Sequence, residues 1–307
     1  GFQYTYQLNL NTSFTGDDDL YVRLKTGNAT DVFSNKTYGT YLSSSNGNDD
    51  TIEVDKIWYS FPVGEKNTVW IGPKIENYYM HGATPSIYAP ITKQFKLGGN
   101  GAAYGASTDT GIGWAYNADS GFSVSSNVVS KGGSKGFLTD EAKTNWSTQV
   151  AYTTDHYHVS LITALKYNGW TDSYYTTALG KARPDGNSTN YGLRAYWRPD
   201  TEAQAVPEIS GGYDISTVEG QDADTDAFFV GLTWKDTFQA DDKIGLALGQ
   251  PQTADTDTVE PFTWEAYYSF KINDSISMTP AIFGASDRTG TAGVDLTGAV
   301  VQTTFKF

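Results

Sequence analysis

The feature that most restricts this chain is an alternation of apolar and polar residues at period two, recurring from one end to the other. The opening segment shows it cleanly. Phe2, Tyr4, Tyr6, Leu8 and Leu10 alternate with Gln3, Thr5, Gln7, Asn9 and Asn11. Successive side chains on a strand point to opposite faces, so one face is apolar and the other polar but uncharged. The same reading places Leu20, Val22 and Leu24 against Tyr21, Arg23 and Lys25, and Val159, Leu161 and Leu165 against Ser160, Ala164 and Lys166. Val69, Ile71 and Ile75 share a face opposite Trp70, Lys74 and Glu76. The alternation predicts fifteen strands, at 2–14, 20–27, 51–63, 68–76, 109–117, 121–130, 143–153, 157–168, 188–198, 207–218, 224–235, 242–250, 260–272, 276–286 and 294–307. Helical periodicity is nearly absent.

An apolar face without charge needs either a buried core or lipid. Hydrophobic residues make up only 38% of the 307, while aromatics reach 14%, which is thin for a soluble core of this size. A closed barrel around water needs apolar residues on its outer face alone. Lys or Arg on the lipid face at mid-membrane would cost ~2–4 kcal/mol, which accounts for their exclusion from that set. Aromatics gather at the strand ends (Tyr59, Phe61, Tyr152, Tyr157, Trp197, Trp234), where interfacial girdles belong.

The connectors decide between barrel and sandwich. Short turns such as Thr15-Gly16-Asp17, Gly64-Glu65-Lys66-Asn67, Thr154-Asp155 and Asn273-Asp274 alternate with long loops at 28–50, 77–108 and 169–187. Outer-membrane barrels have short periplasmic turns and longer outer loops. The expectation is an all-β transmembrane antiparallel barrel filling 1–307 as one pore domain in a bacterial outer membrane, its outer face against membrane lipid and lipopolysaccharide. Single-chain bacterial barrels have even strand numbers. Fifteen strands therefore imply about sixteen in all, with one upstream of Gly1 or one overlooked within 92–106.

The formal charge of −14 makes nucleic acid an improbable partner, and the absence of cysteine excludes disulfides and thiolate metal sites. No cofactor is implied. His156 and His158 lie two apart but have only Asp155 beside them, so polar residues at an interface explain them better than a metal pair. Asp222, Asp224 and Asp226 alternate as calcium ligands do, yet lack the glycine and distal Glu of a helix-loop-helix site. No Ser-His-Asp or paired-carboxylate arrangement argues for an enzyme.

Several stretches resemble the carbohydrate-selective porin family (OprB-like), and more closely its cyanobacterial Som branch. They are Trp264-Glu265-Ala266-Tyr267-Tyr268 running into Ile272–Ile282, Ile244–Pro251, Leu8–Gly16, and the terminal Phe305-Lys306-Phe307. The resemblance implies a sixteen-stranded barrel, a homotrimer and passive transport of small ions or sugars. The branch's wall-anchoring domain and coiled coil are not in this sequence, so wall anchoring would need a part this chain does not contain. A substrate-specific or plugged barrel, an outer-membrane enzyme and a soluble carbohydrate-binding β-protein are the rival readings.

A pore selects by radius and by the charges lining its narrowest point. In trimeric porins the third outer loop typically folds inward, and here that loop would be 77–108, with Lys93 and Lys96, stiffening prolines and bending glycines. Inward-pointing charges are mostly basic: Arg23, Lys25, Lys56, Lys74, Lys166, Arg194, Arg198, Lys235 and Lys271, with Glu76, Asp214 and Glu265 as inward acids. The expected constriction set is Arg23, Lys25, Lys56, Lys74, Lys93, Lys96, Arg194, Arg198 and Glu265. These charges either form a basic belt favouring anions beneath an acidic rim, or pair across strands and hold the wall in shape. Trp58, Trp70, Tyr196 and Tyr267 inside, with Trp170, Tyr174 and Tyr175 in an outer loop, are candidates for a sugar track.

Overall fold

The computed structural model describes residues 1–36, 39–99, 101–104, 108–132, 135–171, 177, 179, 186–200 and 205–307. Fifteen strands account for nearly all its regular structure: β1 Thr5–Thr12, β2 Asp19–Gly27, β3 Glu53–Val63, β4 Asn67–Glu76, β5 Thr108–Asn117, β6 Phe122–Ser130, β7 Thr144–Thr153, β8 Tyr157–Tyr167, β9 Ser188–Trp197, β10 Glu208–Val218, β11 Thr225–Lys235, β12 Lys243–Ala254, β13 Phe262–Asn273, β14 Ile276–Ser286 and β15 Leu296–Phe305. All are antiparallel, each hydrogen-bonded to its sequence neighbours, in one sheet ordered β1 to β15. The sheet wraps into a barrel with its seam between β1 and β15. Tyr6 of β1 stacks on Phe307, just past β15, at 6.1 Å between ring centroids, although no ladder joins the two strands. The described residues of 92–106 form no strand, only an isolated bridge at Thr92 and a short 3-10 segment at Lys93–Gly98.

The burial pattern is that of a barrel turned inside out. Leu161, Leu193, Val230 and Leu246 lie on the outer surface, while Ser147, Gln149, Ser160, Asp214 and Ser216 are buried in the interior. In lipid every strand must find its backbone partners within the sheet, and the outward side chains meet hydrocarbon. The outer aromatics meet at the short-turn end, where Tyr59 lies against Phe61 at 5.7 Å and Tyr152 against Tyr157 at 6.1 Å.

Two short turns use the same device. Asp18 accepts from the backbone N–H of Phe14 (2.9 Å) and Thr15 (2.8 Å), from Ser13 Oγ (2.6 Å) and from the Tyr59 hydroxyl (2.7 Å). Asp242 accepts from the N–H of Thr237, Phe238 and Gln239 and from the Tyr268 hydroxyl (2.9 Å). Each carboxylate thus ties a turn to a girdle tyrosine. The hydrogen bonds from Ser13 and Tyr59 hold the Asp18 carboxyl well below the usual carboxylate range. A lowered folded-state pKa stabilises fully above the unfolded value near ~3.9, and that contribution is lost as the pH falls below it. Asp18→Ala should lower the temperature of the heat-modifiable gel transition by roughly a few degrees at neutral pH, with Asp18→Asn losing less. The difference from the parent chain should shrink as the pH is taken below about 4.

Five register slips interrupt the ladders among the described residues, and three fall together in β2–β5. Bulges of this kind re-aim side chains beside functional sites. The slip between Gly72 and Ile75 changes one expected face. Ile75 is fully buried while Ile71 is 52% exposed, so the two do not share a side. Lys74 sits in register with outward Ile57 at the outer end of β4, and its ammonium reaches back to the Val54 carbonyl at 2.5 Å.

Candidate pore constriction

The loop between β4 and β5, residues 77–107, turns into the barrel and is pinned to seven strands of the wall. On β13, Glu265 accepts from Tyr88 Oη (3.0 Å), Ile91 N (2.9 Å), Thr92 N (2.7 Å) and Thr92 Oγ1 (2.6 Å). On β9, Arg194 donates Nε to the Leu97 carbonyl at 2.7 Å, pairs with Asp214 of β10 at 2.6 Å and lies 4.7 Å from the Tyr104 ring. Asp214 in turn accepts from Ala103 N at 3.1 Å. Gln149 of β7 brackets Ala83 and binds the Tyr104 hydroxyl, Asn127 of β6 reaches the Asn77 carbonyl, Lys166 of β8 the Ala102 carbonyl, and Gln252 of β12 accepts from Ala102 N. A buried carboxylate or guanidinium held by this many partners is a structural fastener, since leaving any of them unpaired would cost ~1–3 kcal/mol each. Tyr88, Ile91 and Phe95 of the loop pack on Phe229, Tyr267 and Phe283 of the wall.

Close approach fixes two glycines. Gly98, with φ +75°, lies where a Cβ would come within 2.4 Å of the Arg194 side chain. Gly101 lies where a Cβ would meet the Asp214 carboxylate. Both let the backbone rest directly on its anchors.

A second loop also enters the lumen, which sequence reasoning did not foresee. Within residues 28–52, Leu42 forms an isolated bridge with Thr92, Ser43 N donates to Ile91 O at 2.7 Å, and Lys93 N donates to Tyr41 O at 2.8 Å. Leu42 is buried in the cluster of Tyr88, Ile91 and Phe95, and Phe33 meets Phe283 edge to face at 5.2 Å. Gly39 rests on Thr263. Together the two loops cover the inner wall from β5 round to β15. At β2–β4 the loop meets the wall through Tyr79, whose ring centroid lies 6.1 Å from that of Trp58.

That remaining wall carries most of the expected charges. Arg23 pairs with Asp55, and Lys56 pairs with Glu76 at 2.5 Å. Lys25 is within electrostatic reach of Asp55 as well as of Arg23, Lys56 and Lys96. Among the described residues no carboxylate lies within 4 Å of Lys25 or Lys96. Lys93, on the loop, sits 4.6 Å from the Tyr41 ring centroid. Burial, then the positive charges of Lys25 and Lys96, push its pKa down to about 7. Burial likewise pushes His81 down to about 3, so this imidazole is neutral under Ser125 and Tyr104.

The structure therefore divides the expected constriction set. Arg23, Lys25, Lys56, Lys93 and Lys96 come together beside β2–β4, with Lys56 itself fully buried against Glu76. Arg194 and Glu265, both fully buried, belong to the fastening of the loop and line no open path. Lys74 faces outward. Arg198 lies at the β9–β10 turn, with Nε 3.5 Å from Glu208, which Lys235 also contacts at 2.6 Å. The expected aromatic track is dispersed as well. Tyr196 stacks on His158 at 4.7 Å, Tyr267 is buried against Tyr88, and Trp170 is fully buried beneath Lys131. Tyr174 and Tyr175 lie outside the described residues. His158 is hydrogen-bonded to Thr153 and Ser160, and no cluster of three metal-ligating side chains occurs among the described residues.

An inside-out antiparallel barrel of the bacterial outer membrane, with a loop fastened across its lumen, has the architecture of a porin. The sequence matches the carbohydrate-selective porin, OprB family, over residues 1–283, and the chain belongs to that family. A curated relative, an uncharacterized protein of Nostoc, is 26% identical over all of this chain, which spans 61% of that protein's length. Among solved structures, OprB of Pseudomonas putida superposes with a TM-score of 0.67 at 12% identity, covering 98% of this chain and 86% of that one. An anion-selective porin from Comamonas acidovorans superposes with a TM-score of 0.64 at 13% identity, covering 99% and 89%.

Proposed function

We propose that this chain is a passive, non-enzymatic pore for small hydrophilic solutes and inorganic ions, that it prefers anions, and that it assembles as a homotrimer within outer-membrane lipid and lipopolysaccharide. The observation that carries the anion preference is the pair of ammonium groups, Lys25 of β2 and Lys96 of the loop, each with no carboxylate within 4 Å among the described residues. Fixed charges at a narrow aqueous point are screened over only ~8–10 Å at physiological salt, so those at the constriction outweigh the acids of distant loops. The buried Arg194–Asp214 pair contributes little to the field in the lumen, because its two charges cancel at 2.6 Å.

Single-channel recording in a planar bilayer under a potassium chloride gradient tests the proposal. Stepwise openings are expected, in threes for the trimer, with a reversal potential on the chloride side. Between pH 6 and 8 the anion preference should decline as Lys93 loses its proton. The groups facing Lys93 are Lys25, Lys36, Lys96, Glu76 and Tyr41. Lys93→Met should abolish that titration. A potassium-side reversal potential across the whole range would overturn the anion preference.

A further inference from the structure

We infer that the wall of β2–β4, with the loop residues that lie against it, is a binding site for an acidic monosaccharide, a sugar ring bearing an anionic group. The inference rests on the passive-pore reading and deepens it by naming a solute class the passage would retain. Four aromatic rings run in one file from the wall to the loop. Tyr21 of β2 meets Trp58 of β3 with centroids 4.9 Å apart, Trp58 meets Tyr79 of the loop at 6.1 Å, and Tyr79 stacks on Tyr78 at 4.8 Å. All four are only partly buried, unlike the wall aromatics beneath the loop. Aromatic faces in such a row offer the apolar side of a sugar ring an extended surface.

The charges beside the rings divide into two kinds. Arg23 and Lys56 are committed to Asp55 and Glu76, and Lys56 lies 5.4 Å from the Tyr79 ring centroid, so these pairs hold the file in place. The Tyr21 hydroxyl is fixed on Asn9 Oδ1 at 2.8 Å. Lys25 and Lys96 remain for a ligand's anionic group. A neutral sugar would use the rings and leave the ammonium groups idle, and a small inorganic anion would do the reverse. A solute that joins a hydroxylated ring to an acidic group uses both.

The test is current interruption in single channels of the full chain, with sodium glucuronate, glucose or sodium acetate added to one side of a bilayer in symmetric potassium chloride. Glucuronate should interrupt the current with dwell times about tenfold longer than either of the others, the equivalent of one added ring or charge contact. Trp58→Ala and Lys96→Gln should each shorten the glucuronate dwell severalfold. Lys96 is on the exposed part of the loop, so that variant remains informative if removal of Trp58 disturbs the wall. Glucose dwelling as long as glucuronate would show the charges idle and overturn the inference. Acetate dwelling as long would show the rings idle and overturn it equally, as would an open channel that none of the three interrupts. A folded, inserted protein with no conductance at all would instead overturn the pore reading on which the inference stands.

Discussion

Replacing Glu265 by alanine is expected to leave the barrel inserted and folded but to raise single-channel conductance about twofold, with much noisier open states. The expectation follows from what the carboxylate holds. Its two oxygens accept four hydrogen bonds, three of them from consecutive positions of the constricting loop, Ile91 N, Thr92 N and Thr92 Oγ1. The fourth comes from Tyr88, which packs between Phe229 and Tyr267. Alanine would strand these donors in a buried setting, at a cost on the order of several kcal/mol, more than the loop's apolar contacts at that point can offset. The loop would then leave its seat, while the ladders that hold the barrel are untouched. Heat-modifiability on gels would verify that the barrel persists. Glu265→Gln, which keeps one acceptor, should give a smaller rise. Unchanged conductance and noise in a folded Glu265→Ala channel would show that the loop is held elsewhere.

The same seat supports the second loop. The segment from Tyr41 to Ser43 is bonded to Ile91 and Lys93 directly beside the Glu265 anchor, so a loosened constricting loop should release both. The narrowing is thus cooperative. One loop is fastened to the wall by polar side chains, and the other is fastened to the first by backbone.

The alternation of apolar and polar residues made the barrel legible, because a strand exposed to lipid on one side and water on the other must obey period two along its whole length. It misled only where the ladder slips. At Gly72–Ile75 the bulge moves Lys74 outward and buries Ile75, and no side-chain pattern marks that change in advance. Parity also showed that Arg194 and Glu265 point inward, but not that a loop would lie on top of them. Direction is a local property of the strand, whereas burial beneath a loop depends on contacts across roughly a hundred residues or more, such as Leu97 to Arg194 and Thr92 to Glu265. The second loop did carry a signal. Phe33, Tyr41 and Leu42 are large apolar groups in a stretch otherwise rich in Ser, Asn, Asp and Gly, and a loop destined only for water has no need of them.

Reversing two charges should change the sign of the channel's ion preference. The double variant Lys25→Glu, Lys96→Glu replaces two ammonium groups by two carboxylates on the β2 wall and the loop, a shift of four elementary charges in the lumen. A unit charge ~5 Å from a permeating ion contributes about 0.8 kcal/mol in water-like dielectric, and each reversal counts twice. The sum is roughly 3 kcal/mol before screening, and salt at ~0.1 M removes part of it over a Debye length of ~10 Å. What survives corresponds to about a 10- to 100-fold change in the chloride-to-potassium permeability ratio, enough to carry the reversal potential across zero. Arg198→Glu supplies the contrast. Arg198 sits at the far turn beside Glu208, which Lys235 still neutralises, so its reversal should move the potential only slightly. If Arg198→Glu shifted selectivity as far as the double variant, ions would be sorted at the periplasmic mouth instead of the loop-narrowed passage. If neither did, the lumen charges would serve only to brace the wall.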